Sequence, residues 1–149
     1  MVRKLLFVGV LALSAAAFAD GSDAHPPLMG HWTVTGTADA QESTSLSSDD
    51  VDKLAGTELV FTPESVQFSN EICDKPKFKQ ARHSTASFFR REYKIVPKHL
   101  RLPDQVTEIE VSCQTPSPIS FVYLRDMQHI VFYWKGFFLN AERRIDSKP

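Results

Sequence analysis

The sequence predicts an all-β domain: a small antiparallel up-and-down β-barrel carrying one or two short helices. Three observations lead there. Thr107 to Cys113 sets Ile109, Val111 and Cys113 against Glu108, Glu110 and Ser112, the two-residue period of a strand with one buried face. Three further runs, Ile119 to Leu124, His129 to Lys135 and Phe137 to Arg143, follow with breaks too short for the crossovers that parallel neighbours need. Eleven Phe residues in 149 supply the interior of a closed sheet.

Taken in order, the chain opens with Arg3 and Lys4, an apolar run from Leu5 to Ala17, and the small-x-small triplet Ala17-Phe18-Ala19. These are the zones of a cleaved secretory signal over residues 1–19, since the run falls short of the roughly 20 residues that span a bilayer. Residues 20–29 are small, polar and Pro-containing, and read as a flexible leader. The barrel domain is expected over 30–144, with 145–149 as a tail. His31 to Thr37 alternates as a half-buried strand, and Ala38 to Ser47 reads as a long polar connection. Ser48 to Gly56 has a capping Ser, acids in its first turn and a Gly stop, the signals of one or two helical turns.

Glu58 to Phe61 and Ser65 to Ser69 form a hairpin about Thr62-Pro63-Glu64, where Pro63, lacking an N–H, belongs in the turn. Asn70 to Pro76 reads as a connection, and Phe78 opens a further extended segment. Ser84 to Tyr93 is a second short helix with Phe88, Phe89 and Tyr93 on one side. Closing such a meander removes the exposed edges on which other chains pair; a two-sheet sandwich is the alternative.

Without Arg3 and Lys4, the 17 basic residues stand two fewer against 18 acidic ones, a net charge of about −3 that excludes a strongly basic nucleic-acid binder. About 130 mature residues make one domain, expected to be a monomer without a membrane span, in the periplasm or secreted. Cys73 and Cys113 are the only cysteines. In an exported chain they are expected to pair, stabilising the fold by about 3 to 4 kcal/mol; a free or redox-active pair is the alternative, although Cys-x-x-Cys spacing is missing.

Gly30-His31-Trp32 at the first strand and Phe137 to Arg143 at the last resemble lipocalins and the wider calycin-like group, in which a Gly-x-Trp lies beneath a basic residue from the end of the barrel. The resemblance implies structural roles for Gly30, Trp32 and Arg143. Arg143 shares parity with Phe137, Leu139 and Ala141, and a guanidinium over an indole gains cation-π attraction. Gly56, Cys73 and Pro76 are similar to the Gly-x-x-apolar and Cys-x-x-Pro segments of small exported lipocalin-like proteins of bacteria.

No nucleophile elbow, phosphate loop, zinc-protease or dinucleotide signature is present, so no catalytic residue and no cofactor is assigned. Glu108 and Glu110 share a strand face and read as solvated. His25, His31, His83, His99 and His129 lack a ligand spacing, so no metal site is assigned. Arg90-Arg91 after Phe88-Phe89 reads as an amphipathic helix over the barrel, with a membrane surface or an acidic partner as the functional alternative. Phe61, Phe68, Phe121, Tyr123, Phe132 and Trp134 are the candidate ligand-binding residues. The expected function is therefore non-enzymatic: an exported lipocalin-like protein holding a small apolar or amphipathic ligand. The alternative is an inhibitor or immunity protein that blocks a cell-envelope hydrolase through the loop at Ala38 to Ser47 or at Gln114 to Pro118.

Overall fold

Among the described residues there are nine strands, β1 (Gly30–Ala40), β2 (Glu58–Phe61), β3 (Ser65–Phe68), β4 (Glu71–Asp74), β5 (Lys77–Ser84), β6 (Gln105–Ser112), β7 (Phe121–Leu124), β8 (His129–Trp134) and β9 (Phe137–Arg143), each reversing the direction of the one before it except β5, which keeps the direction of β4. The computed structural model describes residues 26–44 and 46–145. The expected signal, residues 20–25 of the leader and the tail beyond 145 lie outside the described residues. Two helices accompany the strands, α1 (Ser48–Asp52) and α2 (Thr85–Glu92), with a 3-10 turn over Pro97–Leu100.

The strands form one antiparallel sheet in the order β4-β3-β2-β1-β9-β8-β7-β6-β5, curled into a half-barrel. First and last strands lie side by side in its middle, with Trp32 opposite Arg143. Two register shifts in β1, between Val34 and Gly36 and between Thr37 and Asp39, increase its twist and help the sheet to curl. The edges are β4 and β5. Between them the chain turns at Lys75, whose φ is 51°, and at Pro76, which has no N–H to give to a ladder. The Cys73–Cys113 disulfide ties β4 to the residue after β6 across this seam, with 5.7 Å between Cα atoms and a sequence separation of 40.

Four local differences from the sequence reading appear in the structure. Glu71–Asp74 is a strand, not a connection, because Ser69 takes a left-handed turn at φ 55° and folds β4 back on β3, bringing Cys73 opposite Val66. β1 runs on to Ala40, since Asp39 and Ala40 pair with Phe138 and Phe137. Leu28, assigned to the leader, is fully buried in the interior cluster. Helix α1 begins with Ser47, whose Oγ accepts from the Asp50 N–H at 3.3 Å, so the cap lies one residue before Ser48.

The sheet has apolar side chains on both faces. Inside the curl, Trp32, Leu59, Phe61, Phe68, Ile109, Val122, Phe132 and Leu139 belong to one cluster. On the outer face, Tyr123, Val131 and Phe138 pack with Phe88 and Phe89 of α2 and Leu100 of the 3-10 turn. β7, β8 and β9 are therefore buried on both sides, which is why they read as continuous apolar runs.

Candidate functional site

The sheet divides the six candidate ligand-binding residues between its faces. Phe61, Phe68 and Phe132 lie inside the curl with at most 1 % of their surface exposed, and Trp134 packs beside them. They belong to one cluster, in which Phe68 meets Phe132 edge-on at 5.2 Å and Trp134 at 5.7 Å between centroids. Phe121 and Tyr123 belong to the outer layer beneath α2. Strand parity separates them: Val122, between the two, is the β7 residue that enters the interior. Trp134 retains one unusual feature, a buried Nε1–H with no hydrogen-bond partner among the described residues.

At one end of the half-barrel, Trp32 is fully buried and donates through Nε1 to the Leu28 carbonyl at 2.7 Å. The Arg143 guanidinium lies over its ring with Cζ 4.2 Å from the centroid. It donates to the carbonyls of Met29 at 2.7 Å, Pro27 at 2.6 Å and Met127 at 3.0 Å, binding the incoming chain and the β7–β8 turn to the barrel end. Gly30 is needed there: its φ is +122°, and a Cβ would meet Arg143 Nη1 at 3.2 Å.

The outer layer holds a polar chain. Tyr93 and Tyr123 share a short hydrogen bond between hydroxyls, and Tyr123 donates to Glu108 Oε2 at 2.9 Å. Glu108 Oε1 lies 3.2 Å from His83 Nε2, and the His83 ring stacks on Phe88 with 3.9 Å between centroids. Burial is the main cause pushing both tyrosine hydroxyls well above their ordinary pKa of 10.0. The expectation of a solvated Glu108 is corrected here: its side chain is only 13 % exposed, because α2 covers that face and supplies the layer in which its partners sit. The chain fixes α2 to β5, β6 and β7 and needs no substrate to account for it.

Two loops flank these layers. In the loop after β1, Gln41 is pinned by its N–H to the Gly136 carbonyl at 2.8 Å and by Tyr133 Oη donating to its Oε1 at 2.6 Å. The loop after β6 is built differently. Gln114, Thr115 and Pro116 are exposed, between the disulfide at Cys113 and the buried Pro118 and Ile119. A cleft of about 410 Å³, lined by Lys75, Lys77, Ser112, Cys113 and Gln114, lies beside this tip. A second cleft, of about 260 Å³, is lined by Arg101, Arg125, His129 and Glu142 among others. Its floor is set by Arg125, which donates to the Leu100 carbonyl and to Asn140 Oδ1 and thereby holds the 3-10 turn on the sheet. Among the described residues no three His, Cys, Asp or Glu side chains are placed to hold a metal ion, and no helix is long and apolar enough to cross a membrane.

The tip is legible from sequence as a candidate loop that begins at a paired Cys113; the burial of Pro118 and Ile119 that holds its other end is seen only in the structure. Comparison of the chain with known protein families, with curated proteins and with solved structures gives no match.

Proposed function

We propose that this is a non-enzymatic, exported binding protein that engages a protein partner with its outer surface, in the manner of an inhibitor of a cell-envelope hydrolase. One observation carries the reading: the Gln114–Pro116 tip is exposed yet held at both ends, by the Cys73–Cys113 bond on one side and by buried Pro118 and Ile119 on the other. A loop held in one shape loses less conformational entropy on binding than a free one, and the 410 Å³ cleft beside it offers room for a side chain of the partner. The burial of Phe61, Phe68 and Phe132 in one interior cluster, with Phe68 against Phe132, favours this over a ligand held within the sheet. Capture of envelope proteins on the immobilised chain, followed by hydrolase assays on what is retained, tests it. Replacing Gln114-Thr115-Pro116 by Gly-Ser-Gly, with the disulfide intact, should abolish capture and inhibition together. Undiminished capture by that variant overturns the reading.

A second reading, the lipocalin-like holder of a small amphipathic ligand, is supported by Trp134. A buried indole N–H without a partner is costly by about 1 to 3 kcal/mol, and a ligand oxygen accepting from it would remove that cost. Titration with fatty acids, followed by tryptophan emission and melting temperature, tests it: a saturable response absent in Trp134→Phe supports a ligand at this N–H.

A further inference from the structure

Charge is divided along this chain to a degree its near-neutral total conceals. Between Lys75 and Arg101 there are nine Lys or Arg residues and a single acid, Glu92, whereas residues 30–74 hold nine acids and a single base, Lys53. In the sheet order the acids lie on β1, β2, β4, α1 and their loops, and the bases on and beside β5, α2 and the 3-10 turn, with Glu110 of β6 opposite Lys79. All nine basic residues are exposed. Among the described residues only Arg91 of the nine forms an ion pair, with Glu92 at 2.7 Å.

The basic elements pack into one surface. α2 touches both β5 and the 3-10 turn, and Val96, Lys98 and Arg101 border a shallow cleft of about 250 Å³ that also includes Thr85 and Ala86 of α2 and one acid, Asp104. Lysines on an open edge commonly prevent strands of other molecules from pairing there, which accounts for Lys77 and Lys79. It does not account for Arg90, Lys94, Lys98 or Arg101, which are on no edge. Val96 is the second observation: it is 62 % exposed and stands between Lys94 and Lys98.

We propose that this face docks the protein on an anionic lipid bilayer, with the lysines and arginines at the headgroups and Val96 dipping into the interface. An apolar side chain flanked by lysines suits the boundary between headgroups and acyl chains, while the acidic β1–β4 half, repelled by the same surface, orients the molecule. A nucleic-acid strand is favoured less, because Phe88 and Phe89 of the same helix are buried and offer no ring for stacking bases. Attachment of this kind needs no membrane-spanning segment and stands independently of the loop reading above.

The test is co-sedimentation of the purified, disulfide-bonded protein with vesicles of phosphatidylcholine alone or with about a third phosphatidylglycerol. Binding should require the anionic lipid and weaken as salt screens the surface. Each neutralised basic residue should lower affinity about five-fold, so Arg90→Gln/Lys94→Gln/Lys98→Gln should lower it about 100-fold with an unchanged melting temperature. Val96→Ser should weaken binding without altering its salt dependence. Equal binding to neutral and anionic vesicles overturns the proposal. So does failure to bind either vesicle by a protein that is retained on a soluble polyanion such as heparin, which would assign the face to an acidic macromolecule.

Discussion

Removing the guanidinium of Arg143 should destabilise the fold well beyond the usual effect of a surface substitution. The side chain lies over Trp32 at 4.2 Å and donates to the carbonyls of Pro27, Met29 and Met127. A cation on an indole contributes about 1 to 2 kcal/mol when partly desolvated. Hydrogen bonds from a charged donor to three carbonyls would add more than this if buried; two of the three are exposed, so about 0.5 kcal/mol each is the figure to use after solvent screening. Arg143→Met, which keeps the aliphatic stem, should therefore cost about 3 kcal/mol, a fall in melting temperature of about 12 °C for a domain of this size. Stability alone does not identify the cause, so the assay is a double-mutant cycle in urea with Trp32→Leu. Coupling of about 1 to 2 kcal/mol is expected between the two sites, with part retained in Arg143→Lys. Additivity within about 0.5 kcal/mol would refute the idea that the guanidinium acts through the indole, even if each variant alone is unstable.

Three other perturbations follow from the same geometry. Cys73→Ser/Cys113→Ser reopens a 40-residue loop and should cost about 4 kcal/mol by chain entropy, seen as a urea midpoint lower by about 2 M; an unchanged midpoint would show that the seam is held by other contacts. Tyr93 and Tyr123 have folded-state pKa values raised above the ordinary 10.0, so the unfolded chain releases these protons first. The stability they contribute is complete below pH 10 and is lost as pH rises beyond it; Tyr93→Phe/Tyr123→Phe should flatten that decline, and an unchanged slope in denaturation curves taken between pH 9 and pH 11 would count against it. Gly30→Ala, forced to φ +122° against Arg143 Nη1, should cost about 1 to 3 kcal/mol in thermal melts.

What could be read from sequence was whatever one strand or one turn encodes by itself. The β6 alternation, the Pro63 turn and the parity of Arg143 each depend on a few adjacent residues, and each is found in the structure as a local fact. The doubly buried β7–β9 runs carried a usable signal, since Phe121 to Leu124 and Phe137 to Leu139 do not alternate, and continuous apolar runs indicate burial on both faces. That signal would have moved Tyr123 and Phe121 out of the interior. β4 gave little to read: Ile72 is 56 % exposed, and in so short a strand only Cys73 points inward. Glu108 could not be placed, because its burial depends on a helix formed 16 to 23 residues earlier in the chain. The basic face is legible as a run of charges, but its separation from the acidic half becomes a spatial fact only with the sheet order.

The adjacency of β1 and β9 has a consequence for how the chain reaches this state. The central pair of the sheet cannot form until nearly the whole domain is present, and such sequence-distant pairing slows folding. Read from one edge to the other, however, the strands run β5 to β9 and then β1 to β4, so a circular permutant opened at Lys75–Pro76 would make every pair of neighbours consecutive. The outer ends of β1 and β9 lend themselves to the splice, since the Arg144 N–H donates to the His31 carbonyl at 2.9 Å. The natural order places its one long-range closure at the middle of the sheet and its open seam at a disulfide, so the fold is joined covalently where its strands are not joined by a ladder.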